Sequence, residues 1–208
     1  MLKSNKKDNK AFMPLSLTTI ALFITTAILL ISIYSLIQDH PLKTKTELET
    51  ISTSLHQKIQ TVETSYYEKQ SQFLFKSNSL QSNIQLSSNS IIIEQKHKNQ
   101  QYRIVKKSIV PWWIQLNNSF WNDSNSFHQY LKYEYHYAGT ISDPIPNNES
   151  IKQEIQNSFN NSTSTILRQP YKINTLKPLH IDKLIIYYKD ENGLIVQENT
   201  QSFILLYQ

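Results

Sequence analysis

The sequence of 208 residues contains no cysteine and only two glycines. Without thiols the chain cannot form a disulfide framework, a thiolate metal site or a cysteine nucleophile, so its stability depends on an apolar core. The sequence also has no Gly-rich phosphate loop, no Gly-x-Ser-x-Gly motif and no His-Glu-x-x-His motif. Its length favours one membrane segment followed by one compact domain.

The sequence lacks the distributed positive charge that is typical of nucleic-acid-binding proteins. Its formal net charge is +5, of which +3 falls within the first eleven residues, and the other 197 residues share +2. A basic strip that joins residues 96–98 to Arg103, Lys106 and Lys107 is interpreted as the solvated face of a strand. We therefore expect no direct nucleic-acid partner.

A long uncharged run is present between Phe12 and Ile37. About 20 apolar helical residues cross the hydrocarbon of a bilayer, so this run predicts a transmembrane helix with some tilt. The lysines lie on its amino-terminal side, which predicts a cytoplasmic amino terminus and an exported remainder. A cleaved secretory signal would have about 7–15 apolar residues and a small-x-small site, which residues 34–39 do not offer. We expect a single-pass protein of the inner (cytoplasmic) membrane with a periplasmic or extracellular domain.

A narrow apolar stripe follows the membrane segment, after Pro41 interrupts the helical pattern. Apolar or aromatic side chains recur at spacings of three or four residues: Leu48, Ile51, Leu55, Ile59, Val62 and Tyr66. This spacing predicts a helix over residues 43–75. Two interpretations fit the pattern. The segment is either a membrane-proximal coiled-coil stalk or the second half of a single long helix that packs its stripe on a globular domain.

Beyond residue 78 the pattern changes to short β-branched and aromatic runs between polar clusters. Strands are predicted over residues 82–86, 91–95, 102–106, 130–137, 183–189, 194–198 and 202–207. Residues 111–123 are predicted as a short helix or a packed loop, and residues 147–159 as a short amphipathic helix. Strands 183–189 and 194–198 are predicted to pair as a hairpin around residues 190–193, where Gly193 supplies the positive φ angle that such a loop often needs.

These elements predict an α+β fold in which one long amino-terminal helix packs on a small antiparallel sheet domain. The helix spans the membrane with its first half and is amphipathic in its second half. The expected boundaries are a basic cytoplasmic leader (1–11), a transmembrane helix (12–37), its extracytoplasmic continuation (38–75) and an α+β extracytoplasmic domain (76–208).

Groups that could support chemistry are few. His128 and His136 flank the predicted strand 130–137 and are interpreted as surface histidines, because no third ligand lies at a matching spacing. Asp190, Glu191 and Asn192 are interpreted as turn residues, because the spacing of a calcium loop is absent. We expect no metal, no cofactor and no enzymatic activity. A membrane-tethered hydrolase is disfavoured because no nucleophile constellation is present.

Three tryptophans lie among polar neighbours in the middle of the chain: Trp112, Trp113 and Trp121. Tryptophans of this kind either seal a small core or contact a partner through a large amphipathic surface. The sequence leaves both interpretations open.

The junction between the leader and the apolar run resembles the class III signal of type IV pilins and type II secretion pseudopilins. The leader ends in Lys10-Ala11, directly before Phe12. The resemblance implies that a prepilin peptidase cuts between Ala11 and Phe12 and methylates Phe12, giving N-methylphenylalanine. Ala11 stands where the family usually has Gly. Pro14 is compatible with the first turn of a helix.

The residue at the fifth mature position is Ser16, where the family usually has Glu. Absence of that Glu is associated with certain minor subunits of the family. The segments around Trp112-Trp113, around Phe120–Asp123 and at Gln201–Tyr207 are similar to parts of the PilX-type minor pilins.

The resemblance implies a non-enzymatic minor pilin that helps to initiate or cap a type IV pilus or a related fibre. Residues 12–37 would form the assembly helix. The implied partners are other minor pilins, the major pilin, the prepilin peptidase and the pilus assembly platform. The alternative is a single-pass envelope or secretion-machinery component with a fixed anchor and an extracytoplasmic protein-binding domain.

Overall fold

The computed structural model describes residues 17–38, 41–76, 82–97, 100–116, 119–195 and 200–208. The chain divides into two compact units between Lys43 and Thr44. The first unit contains one apolar helix, and the second is an α+β domain. This confirms the α+β class and the apolar amino-terminal helix that the sequence predicts.

The described residues form four helices and ten strands. The helices are α1 (Leu17–Gln38), α2 (Pro41–Glu63), α3 (Ser124–Tyr135) and α4 (Glu149–Arg168). The strands are β1 (Lys69–Phe73), β2 (Asn83–Leu86), β3 (Ser90–His97), β4 (Gln100–Lys107), β5 (Trp113–Ile114), β6 (Ile145–Pro146), β7 (Tyr171–Lys172), β8 (Leu179–Ile186), β9 (Tyr188–Lys189) and β10 (Gln201–Tyr207).

Eight of these strands form two four-stranded sheets. Sheet A has the order β1-β8-β10-β5, and sheet B has the order β4-β3-β2-β7. Pairing is antiparallel throughout, except that β5 runs parallel to β10. Strands β6 and β9 form a small parallel pair. Strands β2, β3 and β4 confirm the three strands predicted between residues 82 and 106.

The apolar stripe of α2 is buried in a core that it shares with both sheets. Leu48, Leu55, Ile59 and Val62 are buried, and Ile51 packs against them from a partly buried position. The sheets contribute Leu179, Ile181, Ile204 and Leu206 from sheet A and Ile84, Leu86, Ile91 and Ile93 from sheet B. We call this cluster the first core. It confirms packing of the stripe on a globular domain and contradicts the free stalk.

Helix α2 ends at Glu63, so the predicted helix over residues 43–75 is too long. Lys183 Nζ donates a hydrogen bond to the Glu63 carbonyl at 2.8 Å and another to the Ser65 carbonyl, which satisfies acceptors at the helix end. The chain then pairs as β1 with β8. Tyr66, predicted to continue the stripe, is 92 % exposed.

Sheet A is covered on its other face by α3 and α4. Because side chains alternate along a strand, β10 places Ile204 in the first core but Phe203 and Leu205 in a second cluster. We call this cluster the second core. Its other members include Trp113, Trp121, Phe127, Leu131, Ile155, Phe159, Leu184 and Ile186.

Helix α3 occupies residues that the sequence predicts as a strand over 130–137, and that prediction is wrong. A capping box begins the helix: Ser126 N donates to Asp123 Oδ1 at 2.7 Å, and Asp123 N donates to Ser126 Oγ at 2.9 Å. Phe127 and Leu131, four residues apart, are buried together on one helix face. The alternating tyrosines, which favour a strand, begin only after the capping box and the pair of Phe127 and Leu131. His136 ends the helix with a φ of 64°.

Helix α4 confirms the amphipathic helix predicted over residues 147–159 and extends it to Arg168. Ile155 and Phe159 enter the second core, and Ile166 enters the first. Asn148 caps its amino terminus by accepting a hydrogen bond from Ser150 N at 2.8 Å.

The carboxy-terminal strands pair differently from the prediction. The turn at Asp190 is present, with Gly193 at a φ of 80° and one bridge between Lys189 and Ile195. The main partner of β8, however, is β10. Residues 196–198 of the predicted strand 194–198 lie outside the described residues. Residues 111–123 include a packed loop that carries the short strand β5.

We predict that Leu55→Ala lowers the free energy of unfolding by about 2–5 kcal/mol, because it leaves a cavity in the first core. The control is Leu176→Ala, which removes the same atoms from a leucine that is 79 % exposed and should change stability by less than about 0.5 kcal/mol. Urea unfolding of the full chain in detergent, followed by tryptophan fluorescence, measures both. Equal effects of the two substitutions would contradict the assignment of α2 to the core.

Candidate functional site

Helix α1 is an uncharged helix whose side chains, where described, are almost all exposed. Its segment Thr18–Ser35 is long and apolar enough to cross a membrane, and none of it is buried within the structure. A helix that is apolar on all sides is normally found in a protein core or in a membrane. The structure therefore agrees with a single-pass membrane anchor, and the orientation of the anchor remains a prediction from the lysine-rich leader.

The polar side chains of α1 are compatible with lipid. The hydroxyl groups of Thr25, Thr26 and Ser32 each donate a hydrogen bond to the carbonyl four residues earlier in the helix. Hydroxyl groups bonded in this way need no water. A helix also satisfies its own backbone groups, which is the main requirement for a segment inside a bilayer.

The residues predicted for processing and assembly lie mostly outside the described part of the chain. Ala11, Phe12, Pro14 and Ser16 precede residue 17, where the described structure begins. Ile37 falls in the last turn of α1. The peptidase site therefore stays a prediction from the sequence.

The three tryptophans pack inside the domain. Trp112 belongs to the first core and donates its indole N–H to the Ser87 carbonyl. Trp113 and Trp121 belong to the second core, with their ring centroids 6.1 Å apart in an edge-to-face arrangement. All three are at most 3 % exposed. In this structure they serve as core residues and do not offer a surface for a partner.

The first of two ionic clusters corrects the interpretation of His128 as a surface residue, since its imidazole is buried. Its Nε2 lies 2.9 Å from Glu68 Oε1, and its Nδ1 lies 2.7 Å from the Ala138 carbonyl oxygen. Ile185 N also donates to Glu68 Oε1, at 3.3 Å. His136 is exposed at the end of α3.

These contacts shift both pKa values. Burial lowers the pKa of His128, but the hydrogen bonds to Glu68 and Ala138 outweigh it, and the pKa lies above its ordinary value. Burial raises the pKa of Glu68, but the hydrogen bond and charge of His128 outweigh it, and the pKa lies below its ordinary value. Both shifts favour the ion pair over its neutral forms.

The second ionic cluster surrounds Asp182 of β8, which is 1 % exposed. Its Oδ2 accepts hydrogen bonds from Ser124 Oγ at 3.1 Å and from the Tyr207 hydroxyl at 3.0 Å. Gln70 Nε2 donates to Ser124 Oγ at 3.1 Å. Burial raises the pKa of Asp182 more than these hydrogen bonds lower it. The cluster joins three strands of sheet A to the first residue of α3.

The described surface also has grooves, and one of them contains a residue of the first cluster. One, of about 430 Å³, is lined by Tyr67, Glu68, Thr140, Ile141, Ser142 and Tyr187. Another, of about 620 Å³, is lined by Ser82, Asn83 and residues 172–176. Within the described residues, no group of three or more His, Asp or Glu side chains could hold a metal ion. At the hairpin tip, Asp190 Oδ1 accepts a hydrogen bond from Leu194 N at 2.8 Å, which is turn chemistry.

Sequence reasoning missed Glu68 and Asp182. Glu68 was included in the predicted helix 43–75, which hid it in an apparently solvated helix face. Asp182 lies two residues before the buried Leu184 in His180-Ile181-Asp182-Lys183-Leu184. Leu184 and Ile186 follow at alternate positions, so an acidic residue that continues a buried apolar row was the available signal. The predicted strand began one residue too late to include it.

We predict that Asp182→Asn makes the slope of the free energy of unfolding against pH more positive in the acid range. The folded state holds the Asp182 proton more tightly than the unfolded state, so the free energy of unfolding falls as pH rises from the unfolded pKa through the raised folded pKa. The asparagine keeps a carbonyl acceptor for Tyr207 and Ser124 but does not ionise. The control is Glu191→Gln at the exposed hairpin tip. Urea unfolding at a series of pH values measures the slope, and an unchanged slope would contradict the prediction.

The chain was compared with protein-family models, with curated proteins and with solved structures, and nothing matched. The resemblance to pilins therefore rests on the leader, the apolar helix and the short segments named above. The function that it implies is taken up as a proposal.

Proposed function

We propose that the protein is a minor pilin-like structural subunit that helps to initiate or cap a type IV pilus or a related fibre. The observation that carries the proposal is a lysine-rich leader that ends directly before Phe12, where an apolar run begins that includes a helix with no buried residue in its segment Thr18–Ser35. The precursor is a single-pass protein of the cytoplasmic membrane with its domain outside the cytoplasm. It has no enzymatic role and needs no cofactor.

Helix α1 has the properties that transfer from lipid into a fibre requires. Thr18, Ala21, Thr25 and Ser32 lie on one helix face, with Ile28 and Leu29 between the last two, and the small residues let neighbouring helices approach closely there. Large side chains such as Phe23 and Leu30 lie on the opposite face. Because α1 carries no charge, exchanging lipid for other helices costs little. Other minor pilins and the major pilin are the implied partners.

The arrangement of α2 also supports the proposal. In the pilin-like architecture the second half of the amino-terminal helix packs on the sheet domain. The stripe from Leu48 to Val62 is buried in this way. An anchored binding protein with a flexible stalk would not need this stripe to enter its core. The prepilin peptidase and the assembly platform are the remaining implied partners, and both act on the membrane-embedded precursor.

We predict that the mature protein begins at Phe12. The chain is expressed in a bacterium that has a prepilin peptidase and in a matched strain without the enzyme, and mass spectrometry determines the amino terminus. We expect loss of residues 1–11 and a methylated Phe12 in the first strain only. The control variant Phe12→Asp should keep its leader in both strains. An intact leader in the parent chain would refute the proposal and favour a fixed anchor.

We also predict contacts between α1 and neighbouring helices through the small-residue face. The chain has no cysteine, so single cysteines can be introduced without background. In membranes that contain the fibre machinery, Thr25→Cys should cross-link to other cysteine-bearing subunits, whereas Leu30→Cys on the opposite face should do so at least several-fold less. Both positions would react equally weakly if α1 were surrounded by lipid alone, and that result would argue for the fixed anchor.

A further inference from the structure

The segment between α2 and β1, residues 64–68, is held to the domain at few points. We call it the connector. Glu68 Oε1 contacts His128 Nε2 and Ile185 N, and Lys183 Nζ contacts the Ser65 carbonyl. Tyr66 and Tyr67 between these points are 92 % and 76 % exposed. The two exposed aromatic side chains are therefore held between the Lys183 contact before them and the contacts of Glu68 after them, of which the one to His128 is the shortest.

That contact requires a protonated imidazole. The Ala138 carbonyl can only accept a hydrogen bond, so His128 Nδ1 carries a hydrogen. The Glu68 carboxylate can also only accept, so Nε2 carries a hydrogen as well. A neutral imidazole has one N–H group and cannot make both contacts. The side chain of His128 is 9 % exposed, so water does not readily replace a lost partner.

When His128 loses a proton, the contact that breaks is the one between its Nε2 and Glu68 of the connector. If Nδ1 keeps its hydrogen for Ala138, the lone pair of Nε2 faces the carboxylate of Glu68. The loop that carries Ala138 has further anchors, because Gly139 N bonds to Asp143 O at 2.9 Å and Tyr187 N bonds to Gly139 O at 2.8 Å. Glu68 has only Ile185 N as its other partner among the described residues. The connector is therefore the part that separates.

The other charged or titratable groups around His128 do not replace Glu68. On α3 and the following loop, Lys132 and Asp143 pair with each other at 3.7 Å. Tyr67 lies on the connector beside Glu68. Burial and then the charge of Glu68 raise the pKa of Tyr187, which keeps its hydroxyl neutral over the same range. Glu68 is thus the anion that stabilises the imidazolium.

We propose that the Glu68–His128 ion pair is a pH-dependent latch that holds the connector on the domain and releases it as the pH rises. Release moves Tyr67 and Glu68, which form one side of the groove of about 430 Å³. The latch thus controls the shape of that groove. This inference concerns the second unit alone and does not depend on the proposed function.

The pKa shifts define the pH window of the latch. The pKa of His128 is raised, so its stabilising contribution is fully present below the unfolded value and is lost as pH rises through the folded value. The pKa of Glu68 is lowered, so its contribution is present above the unfolded value and is lost as pH falls through the folded value. The latch is therefore closed at pH values between the lowered folded pKa of Glu68 and the raised folded pKa of His128.

The experiment measures opening of the connector on the full chain in detergent. Chymotrypsin cleaves after exposed aromatic residues, and mass spectrometry identifies the fragments that end at Tyr66 or Tyr67. Rates are divided by those of an unfolded peptide of the same sequence at each pH. We expect cleavage to rise by up to about tenfold per pH unit as His128 loses its proton. NMR of the ring protons should show His128 titrating above the ordinary histidine pKa.

Three variants test the assignment. Glu68→Gln supplies a neutral partner, so the connector should be cleaved with little dependence on pH, and the pKa of His128 should fall. His128→Gln should also remove the pH dependence. His136→Asn is the matched control, since this exposed histidine ends the same helix and makes no contact with the connector among the described bonds. Its profile should follow the parent chain.

The pH dependence that the buried residue His56 of α2 contributes must be distinguished from that of the latch. Burial and then the charge of Lys106 lower its pKa, so its contribution to stability has the opposite sign. Comparing the parent chain with Glu68→Gln isolates the latch, and this half-exposed position should tolerate the change even if His128→Gln does not fold. Cleavage after Tyr66 and Tyr67 that is independent of pH in the parent chain, or a His128 pKa at or below the ordinary value, would overturn the proposal.

Discussion

The two central strands of sheet A, β8 and β10, carry buried apolar residues on both faces, and the rest of the domain is arranged to cover them. Strand β10 turns Ile204 and Leu206 towards one side and Phe203 and Leu205 towards the other. Antiparallel sheets often leave one face in water, but this sheet cannot. Helix α2 and sheet B therefore cover one face, while α3 and α4 cover the other. With no cysteine to restrain its loops, the domain depends on these two cores.

Local sequence patterns predict the elements in which buried residues recur at the regular spacing of a helix or a strand. The stripe of α2, the strands of sheet B and the first turns of α4 have this property. The end of α2 does not, because it is set by Lys183, which is 120 residues away along the chain. The strand prediction for residues 130–137 is wrong because tyrosines at the exposed end of α3, including Tyr133, alternate with polar residues. The capping box at Asp123 carried the opposite signal and lay before the alternating run.

The candidate site likewise has features that adjacent residues reveal and contacts that depend on the fold. The leader and the apolar run each consist of consecutive residues, so both can be recognised in the sequence without knowledge of the fold. The ionic clusters join Glu68 to His128 and Asp182 to Ser124 across 60 and 58 positions. No spacing rule brings such pairs together before the fold is known. A lone acidic residue in an apolar strand indicates only that some partner exists, because an isolated buried charge is costly.

The two cores also explain how the domain can be independent of its anchor. Both consist of residues from Leu48 onward, and neither includes a residue of α1. Helix α1 in turn has no charge, and the described hydroxyls of Thr25, Thr26 and Ser32 bond within the helix. Replacing lipid with other helices around α1 would therefore break no contact within either core. The proposed role as a fibre subunit would require this property, because the helix would change its surroundings during assembly while the domain stays folded.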